Sequence, residues 1–217
     1  MKPRLSNQRN RALTKIDVLA IIAVLAVAAA LLLPALAAAK RKHARIGCVN
    51  NLKQIGIAFR LWEGDNNDKY PMSVSVTNGG AMEMIVASNA YVLWQTMSNQ
   101  LSSPKILWCP ADTNTFPATN FSAGFSDANI SYFLNLYADE MYPQMIMDGD
   151  DNLLVDGKRV QPGILNLWTN QTIAWTKDRH HGVGNIGFAD GHADQVTSHG
   201  LNATVVGSVA TNRWLIP

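Results

Sequence analysis

From Val18 to Ala39 the chain runs for 22 residues without a charged side chain. As an α-helix that stretch extends about 33 Å and matches a bilayer core of roughly 30 Å. The sequence therefore predicts a membrane-spanning helix. It is an unusual one, with Asp17 at its start, Pro34 inside it and no aromatic residue at either end.

Charge is distributed around this run in a way that bounds function. Lys2, Arg4, Arg9, Arg11, Lys15, Lys40, Arg41, Lys42 and Arg45 place nine of the 18 basic residues before Ile46, opposed there by Asp17 alone. From Ile46 onward nine basic residues face 15 acidic ones, so that part carries −6 and is not expected to bind nucleic acid. Five basic residues before the run and four after it leave orientation to other evidence. Cys48 and Cys109 are the two cysteines, and a lone pair outside the cytoplasm is expected to bridge. The reading adopted is N-terminus in, domain out; two unpaired buried thiols are the alternative.

Residues 1–12 are short, polar and basic. The apolar run that follows is too long for a cleaved secretory signal, and it continues without turn residues into residues 40–63. There Ala44, Cys48, Leu52, Ile55, Ala58, Phe59 and Trp62 recur at steps of three and four, one apolar face of a continuing helix. A helix of about 50 residues, roughly 75 Å long, belongs to a coiled coil, a spanning helix or a filament spine.

The segment Ala12-Leu13-Thr14-Lys15-Ile16-Asp17-Val18-Leu19 resembles the start of type IV pilins and type II secretion pseudopilins. The resemblance implies cleavage by a prepilin peptidase after Ala12 and methylation of the new terminus at Leu13. It also puts Asp17 at the family's acidic fifth mature position, and Pro34 at the 22nd, where such pilins commonly carry proline. The chain departs from the pattern with Ala12 for glycine, Leu13 for phenylalanine, and Lys15 in an apolar position. Cys48-Val49-Asn50-Asn51-Leu52-Lys53-Gln54-Ile55-Gly56 and Asp65-Asn66-Asn67-Asp68-Lys69-Tyr70-Pro71 narrow the likeness to pilin-like proteins of planctomycete and verrucomicrobial bacteria. Those carry a late motif of His, nine residues and Asp-Gly, here His180, Asp190 and Gly191.

Two readings of Asp17 stay open. A carboxylate just inside an apolar run is costly unless paired, and a neighbouring subunit's N-terminal amine would pair it and set axial register. Alternatively it is stabilised at the helix N-terminus by the helix dipole and by Lys15 or Arg11. Pro34 removes one backbone hydrogen bond and predicts a kink or a locally melted turn.

The expected fold class is α+β, pilin-like: a leader over residues 1–12, a transmembrane and assembly helix over 13–39, its amphipathic continuation over 40–63, and a globular domain over 64–217. In that domain residues 81–97 read as helical, and 106–108, 130–137, 153–160, 172–176, 185–189 and 192–197 as short strands. Asp156-Gly157 and Asp190-Gly191 have the composition of two-residue hairpin turns.

Asp148, Asp150 and Asn152 place oxygens at the first, third and fifth positions of a calcium loop, but Leu153 stands where such a loop needs glycine and Arg159 where it needs glutamate. Since related pseudopilins hold their loops with calcium, a structural Ca2+ is the one cofactor candidate beside a solvated acidic loop. His180, His181, Asp190, His192 and Asp194 crowd one hairpin; His180 capping the Asp190-Gly191 turn stands against a transition-metal site. No nucleophile–base motif or phosphate loop is present, so catalysis is not expected. The expected function is a filament subunit whose partners are copies of itself, the prepilin peptidase, inner-membrane assembly machinery and membrane lipid. It would begin as a single-pass inner-membrane precursor and end in a periplasmic or extracellular filament. The rival is an anchored module binding polysaccharide or protein through Trp94, Trp168, Trp175 or Trp214.

Overall fold

In the computed structural model, residues 14–85, 89–207 and 212–217 are described. Ala12 and Leu13 lie outside them. The chain divides into two compact units, residues 1–40 and 41–217, and helix α1, Lys15–Gly64, contributes to both.

In the first unit α1 is apolar and exposed around its circumference, Ile16, Leu25, Leu32 and Leu36 all lying open. Among the described residues it is the one helix long and apolar enough to cross a membrane. It continues as α-helix through Pro34, so the locally melted turn is absent. One missing N–H is tolerated because the flanking residues are strong helix formers, mainly alanine and leucine.

In the second unit α1 buries one face. Cys48, Leu52, Ile55, Ala58, Phe59 and Trp62 are buried, while Ile57 and Leu61 face outward. Phe59 meets Tyr70 and Trp94 edge-on, with ring centroids 5.4 and 5.9 Å away. Around it lie the short helices α2, Ala90–Thr96, and α3, Ser98–Leu101. The expected helix over residues 81–97 is thus cut to α2, preceded by a 3-10 turn at Met82–Met84. Residues 106–108 are not a strand either. Pro104 and a Ser103 side chain accepting from the Lys105 N–H start a 3-10 turn, Pro104–Leu107, which uses up the apolar residues.

The strands are β1 Tyr132–Asn135, β2 Ile146–Asp150, β3 Leu153–Val155, β4 Lys158–Arg159, β5 Gly163–Leu167, β6 Ile173–Trp175, β7 Val183–Phe188, β8 Ala193–Thr197 and β9 Asn212–Ile216, with helix α4, Ser198–Gly207, before the last. They form a six-stranded sheet in the order β5-β9-β1-β2-β7-β8 and a three-stranded sheet β4-β3-β6, with antiparallel pairings. The central strands of the large sheet are covered on both faces. Tyr132, Leu134, Met147 and Leu215 pack toward α1, while Phe133, Ile146, Trp214 and Ile216 pack toward the small sheet and α4. Alternation thus sorts residues between two apolar layers.

Asp156 and Gly157 both have positive φ, 49° and 76°, as a tight β3–β4 turn requires. The β7–β8 connection is longer than expected. Phe188 N–H donates to His192 O and Gly191 N–H to Phe188 O, which leaves a three-residue loop, 189–191, closed by Gly191 at φ 87°. A type I turn followed by a left-handed glycine needs that extra residue.

Candidate functional site

At the start of α1, Thr14 and Asp17 form a reciprocal cap. The Asp17 carboxylate accepts from the Thr14 N–H and hydroxyl, both at 2.8 Å, and the Asp17 N–H donates to Thr14 Oγ1 at 3.2 Å. This is the geometry of a capping box, Thr14 as N-cap and Asp17 three residues on. Within the chain, then, Asp17 already has a partner.

In the second unit the motif segments converge on α1. Left-handed backbone at His180, His181 and Gly182, with φ of 44°, 58° and 84°, turns the chain sharply into β7. The turn delivers the His180 ring to the Cys48–Cys109 disulfide, whose Cα atoms are 5.2 Å apart. His180 Nε2 lies 3.3 Å from Cys109 Sγ and 3.6 Å from Asp150 Oδ2, and the His180 carbonyl accepts from Arg45 at 3.1 Å. Asn51 holds the same region by donating to Trp108 O at 2.8 Å.

At the far end of β7, the 189–191 loop meets α1 again. Tyr70 Oη donates to Ala189 O at 2.6 Å. A Cβ at Gly56 would stand 2.8 Å from the Gly191 backbone, so the glycine permits direct helix–turn contact. His180 therefore does not cap the Asp190-Gly191 turn. Asp190 accepts from the His192 N–H at 3.0 Å and contacts the His192 ring, which stacks on Phe188. The nine-residue spacing is the length of β7 plus its turns, and each end grips a different part of the helix. One expected result follows: Gly56→Ala, which in an exposed helix interior would gain about 1 kcal/mol, should destabilise by about 1–3 kcal/mol through overpacking. The urea midpoint of the full chain in detergent measures the sign.

The acidic segment is buried. Asp148 and Asp150 are strand residues of β2 with no exposed surface, and Asn152 is 4% exposed. A calcium loop must wrap its ligands around the ion, and an extended strand in a sheet cannot; the segment is a buried strand and its turn rather than the calcium loop or the solvated acidic loop expected. The backbone pairs instead with β1 and β7. Asp150 Oδ2 accepts from Asn185 N–H and Nδ2 at 2.8 and 2.9 Å. Neither oxygen of Asp148 completes a hydrogen bond, although the Gly187 backbone, with no side chain, leaves the space one of them fills. Asn152 donates to Thr176 Oγ1 at 3.0 Å.

Arg179 had no signal in the sequence beyond its place beside His180. It is buried, donates to Ser131 O at 2.9 Å, and pairs with Asp112 and Asp151 at 2.5 Å each. Asp112 also accepts from Ser131 and Thr115 hydroxyls at 2.8 Å. Such a triad ties distant loops together and is strongly destabilised when one member is removed. Arg45, one of the four basic residues that follow the apolar run, is likewise a structural donor.

Burial governs titration here. It pushes Asp150 up to about 6 against the pull of Arg179, and Asp148 well above the carboxylate range. Glu63, buried beside Arg60 and Glu140, rises to about 7. Burial, with Arg45 and Arg179 nearby, lowers His180 to about 4, so its imidazole is neutral at pH 7. For the three acids the folded value lies above the unfolded one, so their stabilising share is complete below about pH 4 and is lost as pH rises, toward 7 for Asp150 and Glu63. His180 acts oppositely between about 4 and 6.5. Three acids outweigh one imidazole, so the urea midpoint should be higher at pH 5 than at pH 8. Asp148→Asn should reduce that difference by raising the pH 8 value.

Of the four tryptophans read as binding aromatics, Trp94, Trp175 and Trp214 are buried and Trp168 is 61% exposed. Trp214 stacks on Phe133 with centroids 4.0 Å apart, and the Trp175 ring lies over Gly184. No family model matches the chain, and searches of curated proteins and of solved structures return no match.

Proposed function

We propose that the chain is a structural subunit of a pilin or pseudopilin type, inserted in a membrane as a single-pass precursor and assembled with copies of itself into a filament. The observation that supports this most is the change of character along α1. It is apolar and exposed on all sides to Lys40, then buries a single face beneath an α+β domain in the second unit. A helix exposed all round in apolar residues needs lipid or other apolar helices around it. A filament core built from copies of the same helix supplies them after lipid is left behind. The domain's internal ion triad, disulfide and helix-gripping hairpin suit a rigid coat borne on that helix.

The processing step tests the reading. Mass spectrometry of the protein from its native membrane is expected to find a mature N-terminus at methylated Leu13. An intact leader through Ala12 would overturn it and favour the permanently anchored binding module, for which the exposed Trp168 is the one remaining tryptophan of the four.

A further inference from the structure

Cys48, Cys109, Asp150 and His180 each bring one ligand atom within 4.8 Å of the others, and all four side chains are buried. The disulfide accounts for two of them. It does not account for an imidazole nitrogen 3.3 Å from Cys109 Sγ, nor for Asp150 Oδ1, which is buried with no hydrogen-bond partner. Sulfur, nitrogen and carboxylate oxygen at four converging corners are a zinc ligand set. We infer that this quartet is a tetrahedral Zn2+ site when Cys48 and Cys109 are reduced, with the disulfide as its oxidised, metal-free alternative.

The geometry needs little change. Zinc–ligand bonds of about 2.0–2.3 Å put neighbouring ligand atoms about 3.3–3.8 Å apart, so the widest spacing contracts by about 1 Å while the two sulfurs separate by rotation at their Cβ atoms. Both non-sulfur ligands are already held in place. Asp150 Oδ2 lies 3.6 Å from His180 Nε2 and accepts from Asn185, its Oδ1 is buried without a hydrogen-bond partner, and the left-handed turn and Arg45 fix His180. Supports of this kind orient ligands before the ion arrives. Two thiolates and a carboxylate leave the zinc complex at −1, and Arg45, which donates to the His180 carbonyl, stands beside that charge.

The chemistry balances with a phosphine as reductant. The phosphine and one water give the phosphine oxide, while the disulfide gains two electrons and two protons to become two thiols. Zinc binding then releases both protons to solvent. In reverse, a second disulfide oxidises the two thiolates, takes up two protons to leave as a dithiol, and frees the ion.

The full chain in detergent, reduced with a phosphine and titrated with Co2+, tests this. One equivalent should bind with thiolate charge-transfer absorption and the intense visible bands of tetrahedral cobalt, and Zn2+ should displace it. The oxidised chain should show neither. His180→Ala and Asp150→Asn should weaken binding at least tenfold, and His192→Ala should not. If reduction unfolds the domain by circular dichroism, recovery on adding Zn2+ supports the site. No uptake, no recovery, or uptake unchanged in His180→Ala overturns it.

Discussion

Replacing Cys48 and Cys109 together by alanine is expected to lower the stability of the domain by about 4 kcal/mol. The bridge joins positions 61 residues apart, and closing a loop of that length removes about that much conformational freedom from the unfolded chain. At the lower end of a domain stability of about 5–15 kcal/mol, the loss would leave a substantial unfolded fraction near physiological temperature. Position adds to the effect, because the bridge fastens the 104–110 segment to α1 beside His180. Urea titration of wild type and variant in detergent measures the difference. In metal-free buffer, wild type reduced with a phosphine should fall to the level of the variant. An unchanged midpoint would mean that the ion triad of Asp112, Asp151 and Arg179 restrains the same loops without help from the bridge.

At Asp17 the expected effect is on assembly, and a pair of substitutions separates its two roles. Asp17→Ala removes both the cap to Thr14 and the charge. Asp17→Asn keeps an oxygen that can accept from the Thr14 N–H and removes the charge alone. A cap is worth about 1 kcal/mol, whereas a charge pair in an apolar spine loses about 3–5 kcal/mol when one partner goes, about two to four orders of magnitude in association. Under the filament reading both variants should insert normally in the membrane and both should lose sheared filaments. Normal filament yield from Asp17→Asn would reduce Asp17 to a helix cap and sink the register role.

Much of the helix was legible because its signals are local. An uncharged run, and then apolar residues at steps of three and four, are read from neighbours along the chain, and Cys48 through Trp62 fall on the buried face that the spacing implies. The turn at Asp156-Gly157 was legible for the same reason. Strand β2 was not. Its sequence, Ile-Met-Asp-Gly-Asp, reads as an acidic loop because burying two carboxylates is costly in general. What lowers the cost is supplied from 35 residues away, where Asn185 donates to Asp150 and Gly187 vacates space for Asp148. Strand β9 escaped because it is covered on both faces, which removes the polar alternation that betrays a half-exposed strand.

The sequence alone, then, determined a helix that can span a membrane and that changes from all-round apolar to one-sided, since helical periodicity depends on residues within a turn or two. The resemblance, and no local pattern, joined the Cys48 segment to His180, Asp190 and Gly191, without a geometry. Tertiary structure decided what the set does. His180 joins the disulfide and Asp150, while Gly191 touches Gly56 one strand length away, and Arg179 becomes the centre of a buried triad. These outcomes depend on which distant groups reach hydrogen-bond range once the sheet closes on the helix. No pattern along the chain encodes that, because each partner's chemistry is ordinary until burial makes the pairing necessary.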